Sequence, residues 1–397
     1  MSALGLKDAI ERNVDSLADQ LCAVSDRMYA NPELGHAEYR AAQWLTELLE
    51  RAGFVVERGL AGMETAFRAT LRGKGGGPCI AILAEYDALP ELGHGCGHNI
   101  IGSAAVGAGL ALAPLIKEVP GTLVILGSPA EEGAVDNAGG KVIMVEHGVF
   151  DGIDAAIMVH PSSRNMVMTS SNARQALEIT FHGRTAHAAG APHLGINALE
   201  ALITMWNAIN SLRQHVKDEV RIHGIITKGG VSPNIVPDLA QARMYVRAAS
   251  RQYLDEVVEK VKNCAWGAAL ATGATVEFRN TANTYANMVT NRVIADAFKA
   301  NLLALGAQVD DAERSGAGST DMGNVSHVVP AAHPYIRICQ PEVIGHSREF
   351  ADATVSEEGH RGLILGAKGL AMTAFDLLTS PELLAEAKAE FSRVRPS

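Results

Sequence analysis

The chain has 397 residues, 47% hydrophobic and 20% charged, which is too long for one comfortable core and too apolar for a disordered chain. Its formal net charge of −10 argues against broad electrostatic capture of nucleic acid or of an anionic membrane. Five scattered cysteines, Cys22, Cys79, Cys96, Cys264 and Cys339, make no disulfide framework and fit a reducing, cytoplasmic setting.

The opening stretch "MSALGLKDAIERNVDSLADQL" has no apolar leader and reads as an amphipathic helix, and no uninterrupted apolar run long enough to span a bilayer is expected. Helical periodicity continues through "SLADQLCAVSDRMYANPELG" and "AEYRAAQWLTELLERAGF", which Gly53 stops. Three short runs rich in Ile, Val and Leu follow, "CIAILAEYD" (79–87), "GTLVILGSPAEEG" (121–133) and "DAAIMVHP" (154–161). They read as strands buried on both faces, with helix-like stretches between them, and this alternation predicts a mainly parallel α/β sheet. Near residue 173 the pattern changes to "RQALEITFHG", a helix, "VRIHGIITKGG", "LAQARMYVRAA", a second helix and "ATVEFRNTA". That βαββαβ order is the ferredoxin-like split unit. A helix after Asn291, the strand-like "YIRIC" and a long C-terminal helix then complete the first domain. The expected division is a discontinuous catalytic, metal-binding domain (1–172 and 286–397) around an insert (173–285).

Ligands of parallel α/β sheets bind beyond the carboxyl ends of the strands. Glu85 and Asp87 follow the first run, Glu131 and Glu132 the second, His160 the third, and "IGHSREF" with His346 comes soon after "YIRIC". Beside them lies "GHGCGH", residues 93–98, whose glycines let Cys96 and His98 turn toward one centre. Taken singly, a histidine after a strand is ordinarily a hydrogen-bonded residue, and paired glutamates a solvated loop; their coincidence on one sheet edge is what points to metal. Cys96, His98, Glu132, His160 and His346 make five donors, more than one catalytic zinc uses, so two ions sharing a water are expected. The mixed donors fit Zn²⁺ first, with Mn²⁺, Co²⁺ or Ni²⁺ as alternatives. Glu131 is then placed as general base, and Asp87 as a carboxylate that hydrogen-bonds a metal ligand or orients the Cys–His turn. The reaction class is acyl transfer to water. A thiol-redox role is disfavoured because Cys96 has no neighbouring cysteine.

These segments resemble the M20 metallopeptidases, in particular the amidohydrolase branch with the aminobenzoyl-glutamate hydrolase and dipeptidase-like subgroup. The resemblance rests on "NPELGHAEYRAAQWLTELLERAGFVV", "AEYDALPELGHGCGHNIIG", "SPAEEG", "MVHP", "GRTAHAAGAPHLGINALEAL", "GGVSPNIVPDLAQARMYVRA" and "GHSREF", in that order. It implies the same five ligands and the same base. It also implies that the insert is a lid and dimerisation domain, giving a homodimer in which His187 stabilises the developing oxyanion across the subunit boundary. Asn234 and Arg247 would face a substrate with a free carboxylate. The activity implied is hydrolysis of small N-acyl amino acids or aminobenzoyl-glutamate-like conjugates. A dipeptidase or aminopeptidase is the alternative, and a catalytically silent metal-binding regulatory subunit the alternative of another class. Two positions depart from the family pattern. Asn99 and Ile100 follow the Cys-Gly-His triplet where many members of the branch have aspartate and histidine, and Glu85 stands where the wider family has a ligand histidine.

Overall fold

The computed structural model describes residues 3–310, 314–315 and 318–394. The chain divides into two compact units, Met1–Ser170 with Met288–Gly316 and Asp321–Ser397, and Ser171–Asn287 with Ala317–Thr320. The short stretch 317–320 thus clusters with the insert, whereas the sequence reading left it in the catalytic domain.

The first unit opens with helices α1 (Ala3–Ser16), α2 (Ala18–Tyr29) and α3 (Tyr39–Arg51). Its sheet contains β1 (Val55–Arg58), β2 (Phe67–Arg72), β3 (Lys74–Ala84), β4 (Pro120–Gly127), β5 (Ala155–Ile157) and a short strand at Ala331–Ala332. Among the described residues the order is β1-β2-β4-β3-β5 and then Ala331–Ala332. The last four strands run parallel, while β1 and β2 form an antiparallel edge. The sequence reading missed that edge. Its short strands carry alternating arginines instead of a continuous apolar run, because only one face is fully covered.

The interior of this unit is organised by α4 (His98–Leu112), every residue of which is buried. Glycine and alanine let it lie close to the sheet: a Cβ at Gly102 would meet the Glu85 carbonyl oxygen at 2.8 Å. The α4 segment extended to Glu118, and α9 (Glu357–Thr379), are long and apolar enough to cross a membrane, contrary to expectation. Most of each is buried inside the protein, 83% and 72% of the apolar window, which makes them core helices of this fold. Between them come α5 (Gly140–Glu146), packed near the sheet end, and α8 (Arg292–Ala304) after the insert.

The insert follows the expected order: β6 (Ala173–His182), α6 (Ala198–Leu212), β7 (Arg221–Lys228), β8 (Leu239–Ala248), α7 (Arg251–Thr272) and β9 (Thr275–Asn280). Its strands pair antiparallel as β9-β6-β8-β7, the ferredoxin-like arrangement. Asn197 and Ser250 side chains cap the two helices. Leu177, Ile179, Phe181, Met244 and Val246 alternate inward and pack with Leu202, Met205, Val257 and Val261 from the helices.

Candidate metal centre

The turn after β3 brings Cys96 and His98 together in the way the glycines predicted. Gly97 sits at φ 80°, and a Cβ there would fall 2.4 Å from Pro161 Cγ, so only glycine fits between Cys96 and His98. His98 opens α4 and is fully buried. Its Nδ1 donates to Asp87 Oδ1 at 2.7 Å, which leaves Nε2 as the outward acceptor. The other Asp87 oxygen accepts the Glu132 backbone N–H at 2.9 Å, so one carboxylate sets both a histidine and the glutamate loop. His160 Nδ1 donates to the Pro161 carbonyl at 2.8 Å and likewise frees its Nε2.

The five expected donors meet. Cys96 Sγ lies 3.4 Å from His160 Nε2 and 3.3 Å from His346 Nε2. His346 Nε2 lies 3.6 Å from Glu132 Oε1. Two groups share the sulfur: Cys96, His98 and His160, and Cys96, Glu132 and His346, each with donor atoms within 4.8 Å of one another. His346 is the outermost donor, its side chain 56% exposed. It is held at φ 63°, a left-handed backbone that non-glycine residues rarely adopt, while its N–H bonds to the Gly95 carbonyl at 2.9 Å. Glu131 stands beside the first group, Oε2 3.9 Å from His98 Nε2.

Sequence reasoning missed the layer behind these donors. Lys141, at the start of α5, is wholly buried; its ammonium bonds Glu85 and reaches Asp321 Oδ1 at 2.7 Å, and its backbone N–H donates to Asp321 Oδ2 at 2.9 Å. A lysine in the otherwise apolar "GGKVIMV" was the available signal. Glu38, also missed, accepts the Ala130 N–H and the Thr65 hydroxyl, each at 2.8 Å, and so braces the Glu131–Glu132 loop. His94, in the same turn as Cys96, is buried and pushed down to about 4 by burial and by the charge on His98; it belongs to neither donor group. His333 packs its ring 5.6 Å from that of His160.

The electrostatics are those of a site built for cations. Burial alone would lower His98, but the Asp87 and Glu85 charges raise it well above the ordinary histidine range. Burial raises Glu131 strongly, and Glu85, Glu132 and Asp321 add to it. Burial, then the Glu132 charge, push the Cys96 thiol up. Burial and His98 hold His160 neutral, down at about 4. Glu85 Oε2, His98 Nε2 and Glu132 Oε1 are buried with no hydrogen-bond partner, a costly state that divalent cations would relieve. The residues present therefore fit two divalent ions, whose arrival would displace protons from Cys96 and His98.

The residues expected at the substrate lie in the insert. His187 is exposed; its Nδ1 accepts the Gly190 N–H at 3.0 Å, so Nε2 carries the proton and points a donor outward. Asn234 is exposed nearby, its carbonyl accepting the Ala188 N–H at 3.0 Å. Arg247 is half-buried on β8, opposite Arg174, and donates to Ser319 Oγ at 2.9 Å.

Residues 173–269 match the peptidase dimerisation domain model of the M20 group. The chain is 37% identical to a mouse Xaa-Arg dipeptidase over 97% of its own length and 92% of the relative's. It is 31% identical to a p-aminobenzoyl-glutamate hydrolase subunit from Escherichia coli, over 98% and 94%. Among solved structures, an aminobenzoyl-glutamate utilization protein from Klebsiella pneumoniae aligns with TM-score 0.75 at 19% identity, over 92% of this chain and 98% of that one. A dinuclear metal-binding M20 peptidase from Bacillus subtilis aligns with TM-score 0.68 at 21% identity, over 92% and 99%.

Proposed function

The chain belongs to the M20 metallopeptidase family and is a hydrolase of amide bonds, and from that premise we propose that it cleaves small N-acyl amino acids or aminobenzoyl-glutamate-like conjugates at a two-ion centre. The observation that carries this reading is the pair of three-donor groups sharing Cys96. Zn²⁺ suits the sulfur and imidazole donors best. When bound, such ions supply Lewis acidity toward the scissile carbonyl and make water acidic near neutral pH.

The chain's own residues do the rest. Glu131 takes the proton of the attacking water and returns it to the departing amine nitrogen. Asp87 holds His98 in the tautomer that leaves Nε2 free, which is the second-carboxylate logic of metal-bound histidines. His187 Nε2–H is the donor proposed for the developing oxyanion, with Asn234 and Arg247 as substrate contacts, the guanidinium suited to the free carboxylate. A homodimer through the insert is supported by its edge strand β7, where Ile225 and Ile226 are 64% and 47% exposed. A dipeptidase reading is favoured by the Xaa-Arg dipeptidase relative and stands as the second possibility.

The test is a screen of N-acyl amino acids, aminobenzoyl-glutamate and Xaa-Arg dipeptides against chelator-treated protein restored with Zn²⁺, Mn²⁺ or Co²⁺. Turnover that vanishes with chelator and returns with metal is expected. Glu131→Gln should keep its metal and lose turnover by about 10²–10⁴-fold. Full metal occupancy with no amide cleaved would leave only the silent regulatory subunit. Mixing Glu131→Gln with His187→Ala protein should restore part of the rate if His187 serves the neighbouring subunit.

A further inference from the structure

Arg174, on β6 of the insert, is a buried cation without a counter-ion. It is 5% exposed, and its Nε and Nη2 have no hydrogen-bond partner among the described residues. Its Cζ lies 4.0 Å from the ring centroid of Tyr285 and 5.0 Å from that of Tyr245, so the guanidinium packs against two aromatic rings. A guanidinium cannot shed its proton, and a buried charge left unpaired is strongly unfavourable.

The neighbouring strands deepen the imbalance. Arg221, Arg247 and Arg174 stand in register across β7, β8 and β6. They lie on the sheet face turned from the helices, because Met244 and Val246 at the alternate positions pack with α6 and α7. Like charges directly opposite one another destabilise a sheet. Arg221 is exposed and donates its Nη1 to the Asp218 and Val220 carbonyls. Burial, and after it the Arg174 charge, lower the Arg247 guanidinium below its ordinary value. Farther along β6, Glu178 already accepts from Arg243 at 2.9 Å and from Arg279 at 3.0 Å.

The identity of the orphaned nitrogens points to the ligand. Nε and Nη2 carry the parallel N–H bonds along one edge of the guanidinium, the edge that takes both oxygens of a carboxylate. Resting on the reading of Arg247 as the contact for the substrate's free carboxylate, we infer that Arg174 binds a second carboxylate side-on, so that the amino-acid half of the substrate is acidic, as in an N-acyl glutamate or aspartate. Two guanidiniums on facing strands call for two negative charges. An Xaa-Arg dipeptide would set a third cation beside them and is disfavoured.

The test compares N-acetyl-glutamate, N-acetyl-glutamine, which keeps the shape without the second charge, and an Ala-Arg dipeptide. Metal-loaded wild type is expected to favour the glutamate compound over the glutamine one in kcat/KM by about 10–100-fold, the range of a hydrogen bond to a charged group, and to cleave the dipeptide least well. Arg174→Met should erase that preference through KM. Arg174→Lys keeps the charge without the fork, so it should lose part of the preference, and it carries the test if Arg174→Met does not fold. Calorimetry on metal-free protein gives a reading independent of turnover: glutarate should bind more tightly than butyrate or inorganic phosphate, and Arg174→Met should remove the difference. Equal turnover of the two acyl amino acids, preferred cleavage of the dipeptide, glutarate binding no tighter than butyrate or phosphate, or a preference undiminished in the folded Arg174 variants overturns the inference. Arg247→Met should raise KM for both acyl amino acids. If it leaves both unchanged while Arg174→Met still erases the preference, the Arg247 reading falls and the Arg174 carboxylate site stands.

Discussion

Glu38 offers a stability prediction with a definite sign. It is fully buried, and its two oxygens accept the Ala130 N–H and the Thr65 hydroxyl. Burial, and after it the charge on Asp87, push its carboxyl up to about 7 from the ordinary 4.5. In the unfolded chain the group ionises near 4.5. Below that pH both states are protonated and the contribution to stability is whole. Between 4.5 and 7 the native state keeps a proton that the unfolded state has lost, so stability falls as pH rises, and above 7 the loss is complete. A gap of about 2.5 pH units, at about 1.4 kcal/mol each, makes that loss about 3.5 kcal/mol. Glu38→Gln removes the ionisation but keeps both bonds: the amide oxygen accepts from Ala130, and the amide NH₂ donates to the Thr65 oxygen. The variant should match wild type near pH 4.5 and exceed it at pH 8. Urea unfolding of metal-free protein from pH 4.5 to 8 measures the difference. Parallel curves for the two proteins would show that Glu38 does not titrate in this window.

Other expectations follow from the same buried layer. Lys141→Met strands the Glu85 and Asp321 carboxylates and should cost about 3–5 kcal/mol by urea unfolding, most of it recovered when Glu85→Gln and Asp321→Asn are added; a loss below about 1 kcal/mol would deny the triad its role. Asp87→Asn should leave the fold intact and weaken metal binding about 10–100-fold in chelator competition, because His98 loses its charged acceptor; unchanged affinity would refute that orienting role. Gly97→Ala forces a side chain into a left-handed position at about 1–2 kcal/mol and adds the collision with Pro161, so its melting temperature should drop, and an unchanged one would contradict the turn geometry.

The parallel strands were legible because burial on both faces writes Ile, Val and Leu continuously into "CIAILA" and "TLVIL". The insert was legible for another reason: its alternating strands and capped helices keep their periods in one uninterrupted stretch. The antiparallel edge β1–β2 was not, since short strands with arginine at every few positions look like loop. At the site, donor types announced themselves by chemistry, and all five converge. Their supports did not. Lys141 and Asp321 are 180 residues apart, and Glu38 and Ala130 are 92 apart; no local period links either pair. The buried apolar helix α4 shows the converse ambiguity, for composition alone does not separate a protein's interior from a bilayer's.

The centre is also assembled late. Four of its donors, with Lys141, belong to the first 160 residues, but Asp321 and His346 come only after the insert has been made. In chain order, Lys141 precedes its Asp321 partner by 180 residues, and Cys96 precedes the His346 imidazole by 250. The sheet itself awaits the Ala331–Ala332 strand from the same returning segment. A product truncated before the returning segment therefore keeps the Cys96–His98–His160 group but lacks the His346 donor of the second group and the Asp321 partner of Lys141.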